Sequence, residues 1–281
     1  MRLSEINIYP IKSLGSISLK SSIVENRGLQ FDRRWLLVDE KNQFLTQRDF
    51  PKMATVATEM RKDCLRVSSS GKKMEIPFEP NTNETASVKI WSSRCRAQVY
   101  KTEINDWFSD ILQTTCKLVF MPEETRRKVN YFYAVHKDDA VSFADAYPVL
   151  IIGENSLSDL NVRLENPVPM NRFRPNLVVK NSEAFAEDDW KKIKIGDAIF
   201  HVVKPCARCV MTTINQTDGV KTGVEPLKTL ATYRTPKRSI KKKILFGQYL
   251  IAEDAGAVLN VGDEIEVIET QMRKRIFDVK F

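Results

Sequence analysis

Two cysteines three residues apart, in Lys204-Pro205-Cys206-Ala207-Arg208-Cys209-Val210-Met211-Thr212-Thr213, are the residues best suited to chemistry in this chain. The thiolate, not the thiol, ligates metals and attacks electrophiles, and neighbouring cations such as Lys204 and Arg208 favour it. The spacing alone leaves several roles open: two structural thiols, half of a zinc site, or a redox dithiol. For zinc, His201 could join Cys206 and Cys209. A structural site wants a fourth ligand, however, and His136, the second of two histidines, stands isolated. A strand would also send His201 and the thiols to alternate faces. A thioredoxin-like dithiol lacks its surrounding βαβ pattern.

The elements that must position this stretch read as mainly β with minor helices. Leu3 to Tyr9 alternates as a strand and ends at Pro10, before the turn Pro10-Ile11-Lys12-Ser13. Ile17–Leu19 and Ser22–Val24 are short β segments. Phe31 to Asp39 has the apolar run of a buried strand with Arg33 and Arg34 at its mouth. Asp39 to Asn42 makes a hairpin turn into Phe44 to Arg48. Short strands continue from Ala54 to Ile76, then Val88–Trp91, Cys95–Tyr100 and Lys117–Phe120. Turn signals about every ten residues point to barrels or sandwiches rather than a doubly wound sheet.

Helical spacing appears twice, in Asn105–Leu112 and in Asn155–Asn161, the second with a cap-like Asn or Ser. The polar stretch Glu123–Lys128 marks a boundary, giving an N-terminal β-barrel-like module over 1–122, a second module over 123–270 and a tail over 271–281. In the second module, strands are expected at Val149–Ile152, Leu177–Val179, Ala198–Val203, Leu245–Leu250 and Asp263–Ile268. The strand from Ala198 delivers the cysteines.

Composition narrows the function classes. At 281 residues, 42% hydrophobic and 28% charged, the chain can bury a large core. No stretch reaches the roughly 18 apolar residues of a membrane-spanning helix. The N-terminus carries no signal-peptide pattern. Five cysteines, an odd number, argue against a disulfide framework and for a reducing, cytoplasmic setting. The net charge of +8 suits an anionic ligand or partner, yet no nucleic-acid module is present. The densest basic run, Lys237 to Lys243, reads as a solvated loop or as a docking patch for an acidic protein.

Several motifs in order, Tyr9-Pro10-Ile11-Lys12-Ser13, Phe31-Asp32-Arg33-Arg34-Trp35, Phe173-Arg174-Pro175-Asn176, Cys206-Ala207-Arg208-Cys209 with Thr212-Thr213, and Phe246-Gly247-Gln248-Tyr249, give the chain a family resemblance. It resembles the MOSC-domain molybdenum-cofactor proteins that carry an N-terminal MOSC β-barrel. That family includes the mitochondrial amidoxime-reducing component and bacterial YcbX-type proteins. The resemblance implies a barrel-like N-terminal module packed on a MOSC β-barrel, with a pyranopterin molybdenum cofactor between them. It also implies that Cys209 ligates the metal, that Lys12, Ser13, Arg33, Arg174, Asn176, Arg208 and Thr212 hold the cofactor, and that Tyr249 and Asp145 stand near the metal.

The implied activity is reduction of N-hydroxylated compounds, namely amidoximes, hydroxylamines and N-hydroxylated bases, to amines or amidines. A monomer is expected, with electrons from an external flavin or iron-sulfur protein, since no cluster-binding cysteines follow the last motif; no membrane anchor is expected. A cofactor carrier or sulfur-transfer module is the alternative, because fold does not fix chemistry.

The residue types suit an anionic ligand: a soft thiolate for the metal, and Lys and Arg for phosphate and oxo groups. Each also has a plainer role. Lys12 fits a surface lysine, Arg33 and Arg34 fit partners of Asp32 or Asp39, and Arg174 fits a strand end. Asp145 fits a cap of the turn at Pro148, and Tyr249 fits the core. Cys64, Cys95 and Cys116 read as inert buried thiols, and Cys206 as a neighbour of the site.

Overall fold

A computed structural model describes residues 1–237 and 242–271. Its backbone is an eight-stranded sheet ordered Ile265–Thr270, Trp190–Ile195, Ala198–Ala207, Leu245–Ala252, Val149–Gly153, Leu177–Lys180, Arg2–Ile8 and Ile17–Leu19. All neighbours are antiparallel except Val149–Gly153 and Leu177–Lys180, which the helix Glu154–Val162 connects. The chain's first strand therefore hydrogen-bonds into the sheet built by its second half, Leu3 opposite Val179. A four-stranded sheet (Trp35–Val38, Lys117–Phe120, Ser93–Val99, Thr85–Ile90) and a three-stranded one (Ala57–Met60, Cys64–Ser69, Lys72–Pro77) complete the N-terminal half. The fold is mainly β, as the turn spacing suggests.

Two of its apolar cores are the largest. One packs Ile11, Trp35, Leu37, Met53 and Phe108 in the N-terminal half; the other packs Ile6, Val149, Leu177, Phe200 and Leu250 under the large sheet. The helix Thr102–Leu112 forms because Ile104, Trp107, Phe108, Ile111 and Leu112 recur at helical spacing and all are buried. It stops where Gln113 turns left-handed at φ 55°. Burying a residue such as Phe108 contributes on the order of 2–3 kcal/mol.

Three expectations change. Phe31 to Arg34 is not strand: Phe31 and Arg33 are left-handed (φ 63° and 51°), and the strand starts at Trp35. The reason is local. Asp32 turns its carboxylate onto the Tyr9 amide at 2.8 Å, and the Arg33 amide donates to the Tyr9 carbonyl at 3.0 Å. The Glu154–Val162 helix has no Asn or Ser cap, since Asn155 Nδ2 donates to the Ser182 carbonyl and Ser156 donates to Glu187. A third helix, Leu227–Tyr233, was not foreseen; it buries Leu230 alone, too little for a periodic signal. Most of the basic run (238–241) and of the tail (272–281) lies outside the described residues.

Candidate functional site

The strand Ala198–Ala207 carries the cysteines, and its ladder with Leu245–Ala252 slips twice, between Val202 and Lys204 and between Pro205 and Ala207. Pro205, lacking an N–H, sits at the second slip. Such bulges break strict alternation and re-aim side chains. Past them, Arg208 donates its amide to Ile244, and Cys209 opens the single helical turn Val210–Thr213. The Thr212 amide and hydroxyl both donate to the Cys209 carbonyl at 3.1 Å, fixing the backbone that presents the thiol.

Cys209 is half-buried on the wall of a cavity of about 590 Å³. All ten residues singled out from the sequence line it: Lys12, Ser13, Arg33, Asp145, Arg174, Asn176, Arg208, Cys209, Thr212 and Tyr249. They come from both halves of the chain, brought together because the first strand joins the large sheet.

Lys12 is no surface lysine. It is 5% exposed, and Nζ donates to Asp145 at 2.5 Å. Burial pulls its pKa down to about 8. Burial alone would raise Asp145, but Lys12, with Arg48 and the Trp91 indole, holds that carboxyl well below its ordinary range. Asp145 therefore bridges cations and does not cap the turn at Pro148. Arg33 pairs with Asp32 at 2.6 Å and reaches Asn176 Oδ1 at 3.1 Å. Arg34 leaves the site for Glu123 and Glu25, and neither arginine meets Asp39.

Arg174 donates only to neutral acceptors, Gln216 Oε1 and the Leu14 carbonyl, and burial pulls its pKa down to about 10. Arg208 donates to the Phe246 and Phe173 carbonyls, while its Nη2, buried, has no hydrogen-bond partner among the described residues. Gly247 makes room for it. Its φ is +77°, and a Cβ there would stand 3.2 Å from Arg208 Nη2 and 2.7 Å from Ile152.

Tyr249 lies 5.2 Å, ring to ring, from Tyr147, and burial pushes its hydroxyl far above the usual range. Cys206 is 2% exposed with its thiol pushed up by burial, as are Cys95 and Cys116. His201 approaches Glu253 at 3.8 Å, and among the described residues no three His, Cys, Asp or Glu cluster as metal ligands.

Sequence reasoning missed Arg48. Its Nη2 donates to Cys209 Sγ at 3.4 Å, its guanidinium lies 4.8 Å over the Trp91 ring, and Asp145 is 3.8 Å away. Its place after an apolar hairpin strand gave no sign of this. Trp91, read as a strand end, is instead a left-handed turn residue at φ 54°, 47% exposed, donating Nε1 to Asp145. Arg172, Tyr133, Tyr147 and Lys204 also line the wall.

The cavity wall holds eight basic residues (Lys12, Arg33, Arg48, Arg172, Arg174, Lys204, Arg208, Lys243) against one acid, Asp145. Asp145 and, behind the wall, Asp32 pair with three of these cations, and a positive excess remains that a bound anion would balance. A cysteine-bearing, cation-lined cavity on a β scaffold is the class this geometry defines. The chain belongs to the MOSC family. Residues 1–115 match the MOSC N-terminal beta barrel domain and residues 138–266 the MOSC domain. It is 30% identical to mitochondrial amidoxime-reducing component 1 of Xenopus laevis, over 94% of this chain and 81% of that protein. It is 33% identical to mitochondrial amidoxime reducing component 2 of Bos taurus, over 94% and 82%. It is also 33% identical to the molybdenum cofactor sulfurase of Oryza sativa subsp. japonica, where 94% of this chain spans 35% of the relative's length.

Proposed function

We propose that the chain binds a molybdenum cofactor in this cavity and reduces N-hydroxylated small molecules. The observation that carries the proposal is a half-buried thiol set among eight cations and one carboxylate, with the Arg208 Nη2 donor unsatisfied. That donor set fits a phosphorylated, oxo-rich anion with one soft ligand position. The likeness to the amidoxime-reducing components supports the reaction class.

In this proposal, Cys209 is the protein's ligand to the metal. Segments 1–122 and 123–270 act as two halves of a clamp, Lys12, Ser13 and Arg33 from one side, Arg174, Asn176, Arg208 and Thr212 from the other. The bound cofactor would supply the two-electron redox chemistry. Reducing an amidoxime to an amidine takes two electrons and two protons, breaks the N–O bond and releases water. Tyr249, whose hydroxyl stays protonated because of its burial, donates a hydrogen bond to the substrate oxygen. Asp145 holds Lys12 and Arg48 in place. Electrons would come from a separate flavin or iron-sulfur protein.

The test is metal and pterin content of the purified chain, followed by donor-dependent reduction of benzamidoxime. Molybdenum with turnover is expected; a chain that takes up zinc and no molybdenum refutes the proposal. The likeness to molybdenum cofactor sulfurases favours a second reading, a cofactor carrier or sulfur-transfer module. Cofactor retained without turnover would select it.

A further inference from the structure

Arg33 and Arg174 reach the cavity from positions 141 residues apart, and both hold left-handed backbones, at φ 51° and 52°. Tyr9, at the end of the first strand, touches both. The Arg33 guanidinium lies 4.4 Å from its ring centroid and the Arg174 guanidinium 4.1 Å. Its hydroxyl donates to the Pro175 carbonyl at 3.0 Å, its amide donates to Asp32 at 2.8 Å, and its carbonyl accepts from the Arg33 amide at 3.0 Å. Ring, hydroxyl and backbone thus tie the 31–34 turn to the 174–176 turn through one residue that is 2% exposed.

The two arginines repel each other, and Arg33 alone has a carboxylate in contact, that of Asp32. The electron-rich ring face adds an attraction that offsets this repulsion, beside the hydrogen bonds of Arg174 to Gln216 and the Leu14 carbonyl and of Arg33 to Asp32, Asn176 and the Arg174 carbonyl.

We propose that Tyr9 is a positioning residue, an aromatic platform that presents the Arg33 and Arg174 guanidiniums as one preformed receptor for a phosphate-type anion. The ring acts through its quadrupole, and the hydroxyl only anchors the ring to Pro175. A leucine would remove the ring face and leave the two cations held by their hydrogen bonds alone.

This rests on the cavity being the anion site of the proposed function, and the test separates the two. The full-length chain is prepared cofactor-free, from a host that cannot make pterin cofactors, and titrated calorimetrically with inorganic pyrophosphate. Position 9 carries Tyr, Phe, or Phe with one, two or three ring fluorines, a series that keeps the ring's shape while draining its face of charge. Tyr9→Phe should bind within about threefold of the wild type, and affinity should then fall stepwise with fluorination, by about tenfold in all. In an Arg174→Gln background the same series should be shallower, since Arg33 alone then lies over the ring.

Equal affinity across the series, or no pyrophosphate binding by the wild type, overturns the proposal. So does a Tyr9→Phe loss as large as the full fluorination loss, which would place the role in the hydroxyl. Metal and pterin analysis of the chain from a competent host reports on the proposed function separately. A loaded chain with a flat series fails the platform alone, and an unloaded chain with a graded series fails only the cofactor.

Discussion

Two buried charged clusters in this protein have opposite character. Behind the large sheet, Asp188 takes Arg234 at 2.6 Å and the Gln248 amide at 2.6 Å, while neighbouring Glu187 accepts from Ser156 and the Gly153 amide. Arg234 and Asp188 are each under 5% exposed, and Arg234 Nε also donates to the Leu245 carbonyl. Charge meets charge there, and the cluster is complete within the protein. Around Cys209, cations outnumber acids and Arg208 Nη2 goes unpartnered. The difference lies in partners: behind the sheet each charged group meets donors or acceptors within the protein, whereas the cavity wall carries a positive excess.

Breaking each cluster should therefore produce opposite phenotypes. Cys209→Ser has the largest expected effect: loss of bound metal and a fall in reductase activity of more than about 100-fold, since residues one layer further out already cost 10–100-fold. Cys206→Ser should keep most of both, because Cys206 is buried beside Tyr249. Metal analysis with turnover decides, and equal losses would show that the pair acts jointly. Asp188→Asn should instead cost about 3–5 kcal/mol by stranding Arg234 in the interior. That lowers Tm by roughly 10 °C, read by calorimetry, with pyrophosphate affinity unchanged.

Arg174→Gln reverses that pattern. Stability should move by less than about 1 kcal/mol, since a crowded, unbalanced cation is removed, while pyrophosphate affinity falls about tenfold with one charge-assisted hydrogen bond. Arg48→Met comes next. It removes the donor at 3.4 Å from Cys209 Sγ and the guanidinium stacked on Trp91, and should lower activity by on the order of tenfold with Tm held. If Arg48→Met lowered Tm as far as Asp188→Asn, Arg48 would belong with the structural cluster and the contrast would fail.

The same contrast explains what was legible in the sequence. Strand spacing and the 105–112 periodicity are local, and they translated directly into sheets and a helix. The residues that line the cavity were picked out through the family resemblance of their motifs, since Lys12, Arg174 or Tyr249 taken singly fitted a surface lysine, a strand end or the core equally well. Arg48 was invisible because its partners, Cys209, Trp91 and Asp145, lie 43 to 161 positions away and only tertiary packing joins them. The Asp188–Arg234–Gln248 cluster was missed for the same reason, and the bulges that aim Cys209 depend on pairing with a strand forty residues on. Local chemistry can be read from a sequence; charge balance across a fold cannot.

The smallest expected effect tests the closed cluster's balance by pH. Burial first, and then the Asp188 charge, raise the Glu187 pKa above its ordinary value, against the lowering pull of Ser156 and the Gly153 amide. A carboxyl with a raised folded pKa binds protons more readily folded than unfolded, so its contribution is fully present below about pH 4.5 and is lost as pH rises through the raised value. The wild type should therefore show a declining component of urea stability from pH 4.5 upward. Glu187→Gln, neutral throughout, should flatten that component while keeping an acceptor for Ser156. The pyrophosphate affinity of the cavity should not follow it, because Glu187 faces Gly153 and Ser156, away from the cations that line the anion site. Urea midpoints of both proteins from pH 4.5 to 8 decide it. Parallel curves would mean that Glu187 titrates alike folded and unfolded, and that the cluster behind the sheet is less closed than its hydrogen bonds imply.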